Sequence, residues 1–310
     1  MNHKQFAFFL LFIVSLIWGF AAVVIKFTLD GISPLPFLTY RFLISAAIAI
    51  AIFTLTKNKY SYKPKTWLGI FIYSVLSTTF ALGFLFLGLD KTTVLELSLI
   101  TLIGPLITSY AGVVFLNEHI TKREKIGTLI AFLGTIFTIV EPILKAGDNF
   151  SSIAGNILLF VYLAGDVASV ILLKKLVREK IPPLFLTNIS FTIGFIVLIP
   201  ISFVFLGINK FINTLINLDF IYHLGVIYMA IISGTTAYAL RAKAQKTLEV
   251  GQTAIFGYLT PVLSMPLAVI FLNEKITPMF ILGAIIVITG IFIAETKTNS
   301  KKHTHIAHKK

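Results

Sequence analysis

Long apolar stretches alternate with short polar breaks along the whole chain. Runs free of Asp, Glu, Lys and Arg cover residues 5–25, 42–56, 66–89, 97–117, 126–140, 149–165, 181–209, 220–240, 250–273 and 276–294. A helix needs about 20 apolar residues to cross roughly 30 Å of hydrocarbon, and most of these runs are near that length. The three shortest are cut by single charges near or within a span: Arg41, Lys125 and Asp166. The pattern predicts ten transmembrane helices, an all-α integral membrane fold.

The same words recur along the chain. FLNE-x-IT occurs at Phe115 and again at Phe271, 156 residues on, and at this offset Ala81 meets Ala237, Val94 meets Val250, Pro105 meets Pro261, Gly127 meets Gly283 and Gly134 meets Gly290. At a shorter offset, Pro36-Phe37-Leu38-Thr39 resembles Leu184-Phe185-Leu186-Thr187. A duplicated unit of five spans enters the membrane from opposite sides in its two copies, so the expectation is two inverted five-helix repeats, residues 1–147 and 148–296, followed by a basic cytoplasmic tail, 297–310. Thr277-Pro278 reads as a helix N-cap with proline in the first helical position, and Thr121 with Glu124 as a capping box. Glu118 and Glu274, the acids of the two FLNE words, are read as structural, each favouring the N-terminal dipole of the helix that follows it.

Composition agrees with a membrane protein: 57% of residues are hydrophobic, 13% are charged and mean hydropathy is +0.93. The net charge of +13 acquires its meaning from its placement. Twenty of the 26 Lys and Arg fall on the side that holds the N-terminus. Four, Lys91, Lys145, Lys210 and Lys275, fall on the other, and Lys26 and Arg41 lie inside span ends. Such a bias places both termini in the cytoplasm of a cell membrane protein. Basic residues scattered over separate short segments form no nucleic-acid face. The chain has no cysteine, hence no disulfide or thiolate chemistry. The first apolar run is too long for a signal-peptide core and reads as the first span.

Candidate chemistry is sparse. Pro105 and Pro261 fall mid-span, each removing a helical N–H and freeing the carbonyl four residues back, of Thr101 and Gly257; matched breaks in two inverted halves point to a midplane site, and a packing kink is the alternative. Ionisable groups inside a bilayer cost about 2.5–3.5 kcal/mol each on insertion scales, so those retained face a cavity or a partner. Four lie within spans by this reading: Lys26, Arg41, Glu96 and Asp166. Lys26 is placed to snorkel outward. Arg41 suits anchoring, pairing with Glu141 or Glu96, or anion binding. Glu96 faces a neutral counterpart, Gln252, in the other half, and an acid in a first helical turn also serves the dipole. Asp166 is two turns from Lys174, too far to pair, and as an unpaired buried acid would carry a proton. Proton-coupled exchange through Asp166 or Glu96 is the mechanistic expectation. Trp18, Tyr238 and Tyr258 combine mid-span position with polar handles and are the aromatics expected along a cavity. No Ser/His, paired-Asp or His-rich set converges within the spans, and no phosphate-binding glycine loop exists, so neither catalysis nor ATP-driven pumping is indicated and no cofactor or metal is expected.

Ten spans, the inverted repeat, Trp18-Gly19, Arg41-Phe42, a mid-span proline in the fourth and ninth spans and the paired FLNE words resemble the EamA family of the drug/metabolite transporter superfamily, across about residues 6–296. The resemblance implies a secondary transporter, an exporter, that moves a small polar or amphipathic metabolite such as an amino acid through a central cavity by alternating access. A monomer suffices, with the solute and membrane lipid as its partners. Asp166 departs from the small or aromatic residues that the family carries there. A non-transporting membrane receptor or an integral-membrane enzyme is the alternative.

Overall fold

The computed structural model describes residues 3–56, 61–116, 122–144, 150–248, 253 and 255–295. Asn117, Glu118, Thr121, Gln252 and the 297–310 tail lie outside the described residues, as do the side chains of Glu124 and Glu141.

Every described element is helical: α1 His3–Leu29, α2 Pro34–Thr56, α3 Pro64–Ser74, α4 Gly83–Lys91, α5 Val94–Leu102, α6 Gly104–Leu116, α7 Lys122–Leu144, α8 Phe150–Arg178, α9 Pro183–Leu206, α10 Ile208–Ile216, α11 Phe220–Ile227, α12 Ala237–Thr247, α13 Leu259–Leu272 and α14 Pro278–Glu295. Seven helical stretches, beginning at His3, Pro34, Pro64, Val94, Ser152, Pro183 and Phe220, are long and apolar enough to cross a membrane; 125–137, 256–272 and 278–293 are shorter apolar helices. Large apolar side chains are exposed around the perimeter, including Leu55 at 82%, Val204 at 81% and Phe292 at 72%. In water such exposure would be a liability; against lipid it is the expected surface. The chain is a multi-pass membrane protein.

Two π-helical stretches interrupt the long helices. Val75–Leu82 links α3 to α4 and Tyr228–Thr236 links α11 to α12. They overlap at the 156-residue offset, although nothing in the apolar pattern distinguishes a π turn from an α turn. The fourth and ninth predicted spans are broken as their prolines require. The α5 helix ends at Leu102, the chain resumes as α6 at Gly104, and a 3₁₀ turn at Ile255–Tyr258 precedes α13. The two breaks meet: a Cβ on Gly257 would lie 2.9 Å from Pro105 Cγ. Only glycine permits this approach.

The equivalent glycines Gly134 and Gly290 bring α7 and α14 together. A Cβ on Gly134 would lie 2.8 Å from Ile286, and one on Gly290 would lie 2.5 Å from the Ala131 backbone nitrogen. Close backbone approach through small residues replaces the hydrophobic drive that lipid does not supply. The α10 helix was not anticipated. Its Ile208, Ile212 and Ile216 recur every four residues and are all exposed, the pattern of a helix lying in the membrane interface.

Helix termini account for most of the polar groups singled out in the sequence. Lys26 does not snorkel: its Nζ donates to the carbonyls of Leu89 (2.9 Å) and Thr92 (2.8 Å), capping the C-terminus of α4. Thr277 Oγ1 accepts from Phe280 N–H at 3.0 Å, the N-cap expected before Pro278. In the second FLNE word, Asn273 takes the left-handed conformation (φ 54°) that stops α13, a role asparagine tolerates better than most residues. That turn directs Glu274 away from its own following helix. Its carboxylate accepts from the backbone N–H groups of Val94 and Leu95, at 2.8 and 2.9 Å, and so caps α5, which belongs to the other half of the sequence. The expectation that Glu274 serves the next helix is corrected here; the dipole argument was right and the helix was wrong.

Candidate functional site

The broken helices open onto a central cavity of about 180 Å³. Its walls come from α1, α2, α4, α5, α6, α8, α12, α13, both π-helical stretches and the segment around Gly257.

Aromatic and charged groups form one connected chain along this cavity. Tyr238 packs edge-on against Phe191 (centroids 5.4 Å apart) and against Trp18 (5.2 Å). Trp18 Nε1 donates to the Ser233 carbonyl at 3.1 Å, fixing the indole against the π-helical stretch. The Arg241 guanidinium lies 5.1 Å from the Trp18 ring centroid, and its Nη1 is 3.5 Å from Asp166 Oδ1. Such π-helical stretches are frequent at functional sites because they re-aim side chains and carbonyls. Tyr162, Ser98, Thr101, Thr253 and Pro105 complete the lining used below. Ser98 Oγ and Ser264 Oγ are 2.7 Å apart, a direct hydrogen bond between the two broken spans.

Arg41 lies at the opposite extreme of exposure, at 1%. Its guanidinium is 5.7 Å from the Phe42 ring centroid and 5.8 Å from that of Phe86. Two such contacts return about 0.5–2 kcal/mol each, against several kcal/mol for taking an ion out of water. Arg41 Nε and Nη1 have no hydrogen-bond partner. Glu96, offered above as a partner, makes its hydrogen bonds elsewhere.

Of the residues expected to bind a solute, Trp18, Arg41, Asp166 and Tyr238 line the cavity together with Pro105. Pro261 is buried in α13 and Tyr258 packs against the core; neither is part of the described lining. Gln252 lies outside the described residues. Glu96 is also outside the lining. It sits in the first turn of α5 within a capping box with Thr93 and is hydrogen-bonded by Thr92, Ser152 and Asn156. Its carboxylate is spent on a helix terminus. Asp166 is not an unpaired acid either, because Arg241 reaches it from α12.

A positive-inside count assigns both Arg241 and Lys174 to cytoplasmic loops, so the sequence singles out Lys174 only as too distant to pair with Asp166 and Arg241 not at all. The structure carries α12 through Arg241 and α8 through Lys174. Lys174 is 6% exposed, and its Nζ donates to the Gln245 carbonyl at 2.8 Å and to that of Leu248. The available signal is their position: both lie within one helical turn of an apolar run.

A helical membrane protein with a small central cavity, aromatic-lined and carrying buried charge, has the architecture of a solute transporter. The family comparison gives the class its name: the EamA-like transporter family matches residues 5–140 and 153–296, once for each half, and the chain belongs to that family. It is similar to an uncharacterized transporter of Bacillus subtilis strain 168, YyaM, at 26% identity over 91% of this chain and 92% of that one. It is also similar to a probable amino-acid metabolite efflux pump of Escherichia coli K12, at 24% identity over 94% and 95% of the two chains. A solved crystal structure at 15% identity superposes with a TM-score of 0.65, covering 93% of this chain and 96% of the other, and so shares the fold. The family is a transporter family, a non-enzyme class.

Proposed function

We propose that the chain is a secondary carrier of ten spans, two inverted five-helix halves over residues 1–147 and 148–296, that exports a small polar or amphipathic metabolite of amino-acid type by alternating access. The observation that carries this reading is the central cavity, whose wall is assembled from helices of both halves and whose broken spans meet at Pro105 and Gly257. A site at the seam of two halves is accessible from either side when the halves rock. The inverted arrangement is supported by the odd number of spans per repeat, and cytoplasmic termini are supported by the distribution of Lys and Arg.

Trp18, Tyr238, Arg41 and Asp166 are the substrate-contacting residues in this reading. Export and amino-acid-like cargo are supported by the name of the Escherichia coli relative. Of the two acids considered for proton coupling, Glu96 is held at a helix terminus by its hydrogen bonds, whereas Asp166 faces the cavity beside Arg241 and is the one placed to meet a solute.

The test is counterflow. Proteoliposomes are preloaded with a pooled panel of amino acids and their metabolites, and exchanged species are identified by mass spectrometry. Saturable exchange of a few species above empty liposomes is expected; folded, monodisperse protein that exchanges none of them would contradict the proposal.

A further inference from the structure

The charges of the cavity break a repeat that several structural groups follow. Pro261 repeats Pro105, Gly290 repeats Gly134, and Lys174, 148 residues after Lys26, repeats its helix-capping contacts. At that same offset, however, Arg41 corresponds to Ile189 and Asp166 to Trp18, while Arg241, at the 156-residue offset, corresponds to Leu85. Several groups required by the architecture recur in both halves. Groups present in one half only are free to answer to the solute.

Arg41 is the most constrained of the three. It is 1% exposed, it lines the cavity, and two of its nitrogens have no hydrogen-bond partner. The flanking Phe42 and Phe86 rings attract a cation but accept no strong hydrogen bond. Gly234 lies beside it: a Cβ there would be in ordinary contact with Nη2 at 3.4 Å, and its close approach is to the Met229 carbonyl at 2.7 Å. A planar fork of N–H donors, held in a water-poor wall with donors unfilled, matches a carboxylate in shape and charge. Asp166 is taken by Arg241.

The described lining therefore holds two guanidinium groups and one carboxylate, an excess of one positive charge in a medium that screens it poorly. We infer that the solute is a small organic monoanion, a carboxylate joined to an aromatic or branched apolar body, with the carboxylate held by Arg41 and the body against Trp18 and Tyr238. This rests on the carrier reading and narrows its solute. A zwitterion adds an ammonium group to a cavity already positive; a monoanion neutralises it.

Three probes sharing one body separate these cases: phenylpyruvate, an anion; phenylalanine, a zwitterion; and 2-phenylethylamine, a cation. Binding is read from the thermal shift of the purified full chain in detergent, and flux from counterflow in proteoliposomes. Phenylpyruvate is expected to stabilise the protein at concentrations about tenfold or more below those phenylalanine requires, and the cation not at all, a tenfold ratio being the scale of one charge-assisted contact. Arg41→Gln should weaken phenylpyruvate by about tenfold or more, and Arg41→Lys, which keeps charge and loses the fork, by an intermediate factor. Equal binding of the zwitterion or cation, no binding of any probe, or phenylpyruvate binding within about twofold of wild type in folded Arg41→Gln would overturn the inference. Should Arg41→Gln fail to fold, unchanged affinity in Arg41→Lys overturns it equally. Flux without anion preference refutes the monoanion and leaves the carrier; anion binding with no flux of any solute refutes the carrier and leaves the subsite.

Discussion

Lys26 and Lys174 do the same work 148 residues apart. Lys26 Nζ donates to the carbonyls of Leu89 and Thr92 at the end of α4, and Lys174 Nζ donates to those of Gln245 and Leu248 at the end of α12. The four acceptors correspond at the 156-residue offset, and Thr92 and Leu248 are both the extended residue that stops its helix. An ammonium group at a helix C-terminus satisfies carbonyls that have no intrahelical partner.

Replacing either lysine by methionine keeps the stem and removes the donors. Each variant should lose about 1–3 kcal/mol, the cost of buried carbonyls left unsatisfied, and Lys174→Met should lose more because Lys174 is the more deeply buried of the two. Unfolding midpoints in detergent check the order.

Glu274 gives the fold a pH dependence. Burial is the largest influence on its carboxyl and raises its pKa above the ordinary 4.5, with Glu96 adding to the rise and the Val94 and Leu95 N–H groups and Lys26 opposing it. A folded-state pKa above the unfolded one means that the folded protein binds more proton, so this contribution is complete below about 4.5 and is lost as pH rises through the raised value. Wild-type stability should therefore increase on acidification across that interval, and Glu274→Gln should lose this component. Thermal midpoints against pH for the two proteins decide it; identical profiles would show that Glu274 is not the source.

The Asp166–Arg241 pair is partly open to the cavity, at 25% and 18% side-chain exposure. Its loss is thus expected to cost less than that of a fully buried pair. Asp166→Asn should reduce transport by about tenfold, equivalent to roughly 1.4 kcal/mol. The exchanged pair, Asp166→Arg with Arg241→Asp, should recover part of the rate if the ion pair matters for position. Initial rates of counterflow for the single and exchanged variants provide the comparison.

Gly257→Val tests the contact between the broken spans. A branched side chain cannot share the 2.9 Å approach to Pro105, so the two halves must separate there. Transport should fall far more than the amount of folded protein recovered by size-exclusion chromatography.

Much of this was legible in the sequence. The membrane-spanning character, the breaks at Pro105 and Pro261, and the placement of Trp18, Arg41, Asp166 and Tyr238 follow from hydropathy, internal repetition and the cost of burying charge. What escaped was non-local. Nothing near Asp166 in sequence announces Arg241, 75 positions further on, and a positive-inside count assigns any arginine near a helix end to the loop. Glu96 looked like a carrier because an in-span acid has two meanings, and only the hydroxyls of Thr92 and Ser152 and the Asn156 amide around it select the capping one. The FLNE word was legible as a repeat, but its use was not. Its asparagine turns the chain so that its glutamate serves a helix some 180 residues away in sequence.

One cavity serving both faces of the membrane is tested most directly with a single reporter thiol. The chain contains no cysteine, so Thr101→Cys, on the cavity wall, supplies the only one. Membrane-impermeant maleimide should label it from the cytoplasmic side in inside-out vesicles and from the outer side in right-side-out vesicles, and an exchanged solute should protect it in both. Labelling confined to one side, unchanged by a solute that the protein exchanges, would contradict a cavity that opens alternately to each face.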